Sequence, residues 1–212
     1  RVNVAAIERN GARIRRALLG REVRAVRRRG KHLWFELDER PWPLFHFGMT
    51  GQFRVPRGAA LPLATGPKTD RDPWPPRFTK IRMTFEGGGE LAMTNARRLG
   101  RIRLREDPEG EPPVSRLGFD PLLDLPRAKT LHELVSRRKV CLKGLLLDQR
   151  FAAGVGNWIA DEVLYQAGLD PRRPASSLGP EEVRRLRARL RSVIGKAVSV
   201  NADKSRFPRS WL

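Results

Sequence analysis

Cysteine, histidine and tyrosine are scarce in this sequence. Its 212 residues include one cysteine, Cys141, one tyrosine and three histidines. A single cysteine excludes a disulfide within the chain, and His32, His46 and His132 are too scattered to complete a four-ligand zinc site with it. The sequence therefore predicts no metal and no other cofactor, and Cys141 is expected in the hydrophobic core.

Long apolar runs are absent as well. No stretch approaches the roughly 18 consecutive apolar residues of a membrane-spanning helix, and the opening RVNVAAIERNG lacks the apolar segment of a signal peptide. These features predict a soluble, intracellular protein. Its 40% hydrophobic content is ordinary for a globular protein, so we expect a buried core in one large domain or two small ones.

Acidic residues are too few to balance the basic ones. Lysine and arginine number 43 against 23 aspartates and glutamates, which gives a formal net charge of +20 at pH 7. Such a chain repels itself unless a ligand neutralises it, so the composition favours a polyanionic partner, with nucleic acid ahead of a membrane surface. The alternative is a solvated basic surface on an arginine-rich protein.

The first half of the chain alternates short apolar and polar runs. Four such runs lie between about Glu22 and Arg105: EVRAVRRRGKHLWFELD, PLFHFGMTGQFRV, KIRMTFEGGGELAMT and GRIRLRE. A period of two predicts antiparallel strands, with a hairpin turn at Gly87 to Gly89. The stretch from Pro56 to Pro76 is rich in proline and predicts a surface loop.

The second half has a helical period. After DPEGEPPVSRLGFDPLLDLP the period changes to about 3.6, so we place a domain boundary near Leu125, between residues 1–125 and 126–212. Four helices are predicted. A capping box of Thr130 and Glu133 marks the start of the first, and the second runs from Leu142 to Gln149. The third runs from Trp158 to Ala167 with Asn157 as N-cap, and the fourth starts at Pro180 with a buried stripe at Val183, Leu186, Leu190, Val193 and Ala197.

The segment FAAGVGNWIADEVLYQAGLDP places glycines directly before a helix. Gly154, Gly156 and Asn157 could let an anion approach the unpaired amides of that helix N-terminus, and Lys143 could add a side-chain donor. The alternative is that the glycines serve a tight turn, Asn157 caps its own helix and Lys143 is solvated. Spacing alone does not separate these interpretations, but the basic surroundings favour phosphate.

Longer motifs carry a specific resemblance. The segment LLLDQRFAAGVGNWIADEVLYQAGLDPRRPASSL resembles the helix-two-turn-helix signature of the formamidopyrimidine-DNA glycosylase and endonuclease VIII family, closest to its plant and fungal members without zinc. RRGKHLWFEL, FHFGMTGQFRV, NARRLGRIRL and ADKSRFPRSWL continue the likeness over nearly the whole chain. The resemblance implies an α+β fold, with an antiparallel β-sandwich-like domain followed by an all-helical helix-two-turn-helix domain.

The resemblance also implies a function. Members of the family are base-excision repair enzymes that remove oxidised purines, such as 8-oxoguanine and formamidopyrimidines, and then nick the strand as AP lyases. The expected partner is double-stranded DNA with an oxidised base or an abasic site, bound by a monomer, and the plant and fungal likeness implies the nucleus, or the cytoplasm and nucleoid in a bacterium. The alternative is a nucleic-acid-binding protein of the same motif without catalysis.

Residue roles carry over from the family motifs. Asn157 and the amides of Gly154 to Gly156 correspond to groups that bind phosphates flanking the lesion, with Lys143 as a weaker candidate. Lys31 and His46 correspond to positions that contact the DNA backbone, Lys31 beside the damaged nucleotide. Residues that fill the gap left by a flipped base correspond to Met49, Arg97 and Leu99.

The sequence also departs from the family pattern. Asn95 and Ala96 stand where the family usually has Asp-Pro, and Leu99 stands where it has phenylalanine. The family's nucleophile is an N-terminal proline followed by a glutamate, and nothing at Arg1 matches it, so the resemblance implies that the catalytic N-terminus and the first strand and helix lie upstream. The family's C-terminal zincless finger is expected beyond Leu212.

Overall fold

The computed structural model describes residues 2–8, 11–56 and 73–212, which form two compact units, Arg1–Ser115 and Arg116–Leu212. Most of the predicted loop from Pro56 to Pro76 falls on residues 57–72, outside the described residues. The division at Ser115 comes before the expected Leu125. The reason is that the aperiodic segment after Ser115 is bonded to the second unit, where the N–H of Gly118 donates to the carbonyl of Gln149 over 2.9 Å.

Within its described residues, the first unit is an antiparallel sheet with one α-helix. Its strands pair in the order β5-β7-β6-β1-β2-β3-β4-β8, and β1 joins the two halves by pairing with both β2 and β6. This arrangement confirms the antiparallel sheet. In chain order the elements are β1 (Val2–Glu8), α1 (Ala12–Leu18), β2 (Glu22–Arg29), β3 (His32–Leu37), β4 (Trp42–His46), β5 (Gln52–Arg54), β6 (Thr79–Phe85), β7 (Glu90–Thr94) and β8 (Arg101–Arg105).

Aromatic packing folds the sheet over itself. Phe53 of the edge strand β5 lies 5.8 Å from Phe35 of β3 and 5.1 Å from Phe45 of β4, measured between ring centroids. These strands stand far apart in the sheet order, so the two halves of the sheet face each other across one apolar core. The fold is thus sandwich-like, as the resemblance implied.

Two tight turns in the sheet match their sequence signals. Gly30 adopts φ 56° in the two-residue turn before β3, which leaves Lys31 at the end of the hairpin. Gly87 and Gly88 adopt φ 86° and 83° between β6 and β7, a left-handed conformation that glycine tolerates best. The sequence pattern did not indicate β1 and α1, because neither has a clean apolar period.

The second unit contains the four predicted helices around one core. They are α2 (Ala128–Ser136), α3 (Leu142–Leu147), α4 (Asn157–Ala167) and α5 (Pro180–Ser199), with short 3-10 turns at Ala175–Ser177 and Lys204–Arg206. The predicted stripe of α5 is buried as expected, and Gly168 ends α4 at φ 63°. The apolar faces of all four helices meet in this core.

Three local expectations were wrong. The N-cap of α2 is Arg127, so Thr130 lies inside the helix and forms no capping box with Glu133. Gly156 is the N-cap of α4, and Asn157 is the first helical residue, because the extended backbone of Gly156 already leads into the first turn. Cys141 is exposed, since it precedes α3 as its N-cap and turns away from the core that Leu142 enters.

Leu190 offers a test of this core. It lies at the middle of α5 and is fully buried. We expect Leu190→Ala to lower the free energy of unfolding by about 2–5 kcal/mol, because it removes buried methyl groups and leaves a cavity. Chemical denaturation measures the change, with the exposed neighbour Arg189→Ala as control, for which we expect a change within about 0.5 kcal/mol. Equal effects of the two substitutions would contradict the assigned face of α5.

Candidate nucleic-acid interface

Basic side chains gather where β3, β4 and β8 lie side by side. The strand register pairs His32 with His46, and His46 with Arg101 on the other side. The two imidazole rings lie 4.9 Å apart, Lys31 precedes His32 in the hairpin turn, and Arg103 is two residues along β8. We call these five residues the basic cluster. The sequence predicted only Lys31 and His46, because the pairing that adds the others joins distant segments.

The basic cluster disfavours further positive charge. Burial, followed by the charges of His46, Arg103 and Lys31, lowers the pKa of His32 to about 4. Burial is also the main cause that lowers the pKa of His46, with Lys31, Arg103 and Arg101 adding to it. Desolvation lowers the pKa of Lys31 as well. Because a nearby negative charge favours the protonated form of each group, the basic cluster is suited to an anionic ligand.

A hydrogen bond fixes the tautomer of His46. The N–H of Gly48 donates to His46 Nδ1 over 3.1 Å. The lowered pKa keeps the ring neutral at pH 7, so its proton lies on Nε2. His46 therefore offers a neutral Nε2–H donor, which suits a phosphate oxygen.

Met49, Arg97 and Leu99 come together on two adjoining loops. Met49 is 60% exposed, and Arg97 Nη1 lies 3.3 Å from its Sδ. Leu99 is 44% exposed, and its backbone packs against Gly48, where an added Cβ would lie only 2.8 Å from the Leu99 carbonyl carbon. The structure thus brings together the three residues that the resemblance assigned to filling the gap in DNA.

Gly154 and Gly156, the two glycines before α4, have different roles. The N–H of Gly154, at φ 93°, donates to Gln149 Oε1 over 3.0 Å, and Gln149 Nε2 donates to the carbonyl of Val155 over 2.9 Å. This corrects the expectation that the Gly154 amide binds phosphate, because Gln149 already occupies it. Gly156 and the exposed Asn157 remain at the helix start, where first-turn amides have no intrahelical acceptor.

Lys143 is engaged by an acid. Its Nζ lies 2.7 Å from Asp161 Oδ1, and both side chains are partly exposed. Pairs of this kind contribute little to stability and exchange easily with another anion. In the unbound protein, Lys143 therefore lies beside α4 with its positive charge balanced by Asp161.

An aromatic stack that was not predicted from the sequence lies next to the start of α4. Phe207 lies 5.5 Å from Trp158 and 4.7 Å from Trp211, measured between ring centroids. Glu162, which is buried in α4, accepts the N–H of Leu212 over 2.8 Å. Residues 204–212 are thereby fastened to α4. The sequence did not predict that residues 204–212 pack on α4, because the segment has no periodic pattern.

Residues 2–8, 11–56 and 73–212 contain neither a candidate metal cluster nor a candidate membrane-spanning helix. Within these ranges no group of three or more His, Cys, Asp or Glu side chains could hold a metal ion. No helix in the same ranges is long and apolar enough to cross a membrane.

Family models match both units. The formamidopyrimidine-DNA glycosylase N-terminal domain matches residues 1–102, and the H2TH domain of the same glycosylase matches residues 117–209. The chain belongs to the formamidopyrimidine-DNA glycosylase family. A formamidopyrimidine-DNA glycosylase of Arabidopsis thaliana is 40% identical over 92% of this chain, and one of Thermus thermophilus is 38% identical over 93%.

Solved structures of the family share the fold. The MutM (Fpg) protein of Thermus thermophilus, 35% identical, matches 93% of this chain and 69% of its own with a TM-score of 0.74. A Lactococcus lactis Fpg in complex with DNA containing an abasic site matches 99% of this chain and 76% of its own with a TM-score of 0.79 and 23% identity. The chain spans 50% of the Arabidopsis relative and 68% of the Thermus relative.

The depressed pKa of His32 predicts a pH dependence of stability. Its pKa is about 4 in the folded protein and about 6.5 in the unfolded chain, so the unfolded chain binds this proton more readily. The stabilising effect of neutral His32 is complete above pH 6.5 and is lost as the pH falls from 6.5 towards 4. We expect the melting temperature of the protein to fall more steeply over this window than that of His32→Gln. Parallel curves would contradict the shift.

Proposed function

We propose that this protein is a DNA glycosylase with AP-lyase activity, which excises oxidised purines such as 8-oxoguanine and formamidopyrimidines from double-stranded DNA. The observation that carries the proposal is the contact of exposed Met49 with Arg97 beside Leu99, in a chain that belongs to the formamidopyrimidine-DNA glycosylase family. We place its action where the DNA is, in the nucleus or the bacterial nucleoid.

Chemistry on a base inside a duplex requires that the base leave the stack. Flipping costs a few kcal/mol of stacking and pairing, which side chains inserted into the gap offset. The flexible thioether of Met49 enters the gap, the guanidinium of Arg97 hydrogen-bonds the orphaned base, and Leu99 packs beside them. Leucine offers less stacking area than the phenylalanine usual in the family, so this chain relies more on Met49 and Arg97.

Phosphate binding divides between the two units. In the first unit, Lys31 and the Nε2–H of His46 bind phosphates near the damaged nucleotide, where the basic cluster stabilises an anion. In the second unit, the first-turn amides of α4 and the side chain of Asn157 bind the backbone, while Gly156 allows close approach. Lys143 joins them when phosphate replaces Asp161 as its partner.

The covalent step is assigned to the N-terminal proline of the family. Its secondary amine attacks C1′ of the damaged nucleotide, the bond to the base breaks with protonation of the base, and the resulting Schiff base allows elimination of the phosphate. Lys31 is not the nucleophile in this scheme, because its place in the basic cluster suits it to hold a phosphate.

Borohydride trapping tests the enzymatic assignment. We expect the full-length protein to form a covalent adduct with duplex DNA that contains 8-oxoguanine or an abasic site, because borohydride reduces the Schiff base to a stable amine. The 212-residue chain alone should form none. Binding of abasic DNA without trapping by the full-length protein would favour the non-catalytic alternative, and trapping by the shorter chain would refute the assigned nucleophile.

Substitutions in the two units should affect different steps. We expect Asn157→Ala to weaken binding to damaged and undamaged duplexes by a similar factor, because backbone contacts carry no sequence or lesion information. Met49→Ala should instead slow base excision much more than it weakens binding to undamaged duplex. Fluorescence anisotropy and single-turnover excision measure the two effects, with Arg191→Ala on α5 as control. The same pattern from Asn157→Ala and Met49→Ala would contradict this division of roles.

A further inference from the structure

Asn95 lies where the Met49 loop and the Arg97 loop meet. It is only 1% exposed, and its side-chain Nδ2 donates to the carbonyl of Phe47 over 2.7 Å. The same carbonyl accepts the N–H of Gly51 over 3.0 Å and so closes the turn that presents Met49. One side-chain amide therefore joins the turn of residues 47–51 to the loop of residues 95–100.

Two glycines enclose the Asn95 amide. A Cβ at Gly51 would lie 2.5 Å from Asn95 Nδ2, and a Cβ at Gly100 would lie 2.9 Å from the same atom. Both distances are too short for any side chain, so only glycine fits on each side. The amide group is held between the two loops rather than merely lying near them.

The backbone of Asn95 carries further constraints. Its N–H donates to the carbonyl of Phe78 over 3.0 Å, and its carbonyl accepts the N–H of Arg98 over 3.4 Å. Arg98 adopts φ 54°, a left-handed conformation that is uncommon for a residue with a side chain. This turn separates Arg97 from Leu99, so the direction of both residues depends on a segment that begins at Asn95.

The contact requires a donor. A carboxylate at this position would place an acceptor oxygen against the carbonyl oxygen of Phe47 and would bury a charge. Asn95 Oδ1 is buried with no hydrogen-bond partner among the described residues. An aspartate would therefore leave both of its carboxylate oxygens without a hydrogen-bond donor. An aspartate at this position therefore does not suit these loops, whereas an asparagine does.

We propose that Asn95 is a positioning residue that holds Met49, Arg97 and Leu99 together as one rigid wedge for the gap in DNA. The proposal rests on the proposed function, because it assigns to Asn95 the geometry of the residues that enter DNA. Asn95 itself is buried and acts only through the two loops.

The substitution Asn95→Asp tests the proposal with a change of one atom. We expect the full-length protein to lose about tenfold in affinity for a duplex with a tetrahydrofuran abasic analogue, since a lost buried hydrogen bond has an effect of about this size. Affinity for undamaged duplex should change by less than about twofold, because the phosphate contacts remain. Fluorescence anisotropy measures both affinities. Single-turnover excision of 8-oxoguanine should slow in parallel with the loss of affinity for the abasic duplex.

Asn201→Asp is the matched control. It makes the same chemical change and adds the same charge at an exposed residue in the turn after α5. We expect it to leave the preference for the abasic duplex unchanged. If Asn95→Asp does not fold, Asn95→Ala removes the donor without adding charge, and its affinity for undamaged duplex reports whether the fold is intact.

A double-mutant cycle distinguishes positioning from a general structural role. In a Met49→Ala/Arg97→Ala background, Asn95→Ala should cause little further loss of preference for the abasic duplex, because the wedge is already gone. Full additivity would overturn the proposal, and so would a wild-type preference that Asn95→Asp leaves intact. A wild-type protein with no preference for the abasic duplex would instead contradict the proposed function.

Discussion

The close approach of two loops around one side-chain amide determines the geometry of the site. Gly48 lets the two backbones touch, since a Cβ there would lie 2.8 Å from the Leu99 carbonyl carbon. Gly51 and Gly100 leave room for the Asn95 amide, because a Cβ on either glycine would lie within 2.9 Å of Asn95 Nδ2. Because the loops are packed and hydrogen-bonded in the unbound protein, the proposed binding of DNA need not order them, and less interaction energy would be lost to conformational entropy. Exposed Met49 and Leu99 thus stand on a packed base, which suits the insertion into DNA that we propose for them.

The basic cluster places a complementary constraint on the first unit. The strand register forces Lys31, two histidines and two arginines into one area. Burial there is the main cause that lowers the pKa values of His32 and His46, and the neighbouring positive charges lower them further. The unbound protein avoids part of the repulsion by keeping both imidazoles neutral at pH 7. The phosphate that we propose at this cluster would offset the rest, so charges that repel one another in the free protein would favour the complex.

The helical unit presents main-chain donors at the start of α4, with Lys143 beside them. Gln149 Oε1 accepts the N–H of Gly154 and thereby stabilises the turn. At the helix start, Gly156 and Asn157 are followed by first-turn amides that have no intrahelical acceptor. One glycine therefore serves the shape of the loop, as the simpler interpretation of the sequence had it. Phosphate binding at Gly156 and Asn157 stays a prediction.

Composition and periodicity alone determined the main features of the fold: an antiparallel first half, a helical second half and the buried stripe of α5. These follow from local patterns, since burial of one face requires a fixed spacing along each strand or helix. The composition also favoured a polyanionic partner. Helix starts were less predictable, because Arg127 and Gly156 act as N-caps through backbone conformation rather than through a capping side chain. Only the tertiary structure decided the site itself. Asn95 and Phe47 are 48 positions apart, and no local pattern encodes a hydrogen bond that depends on how two loops pack.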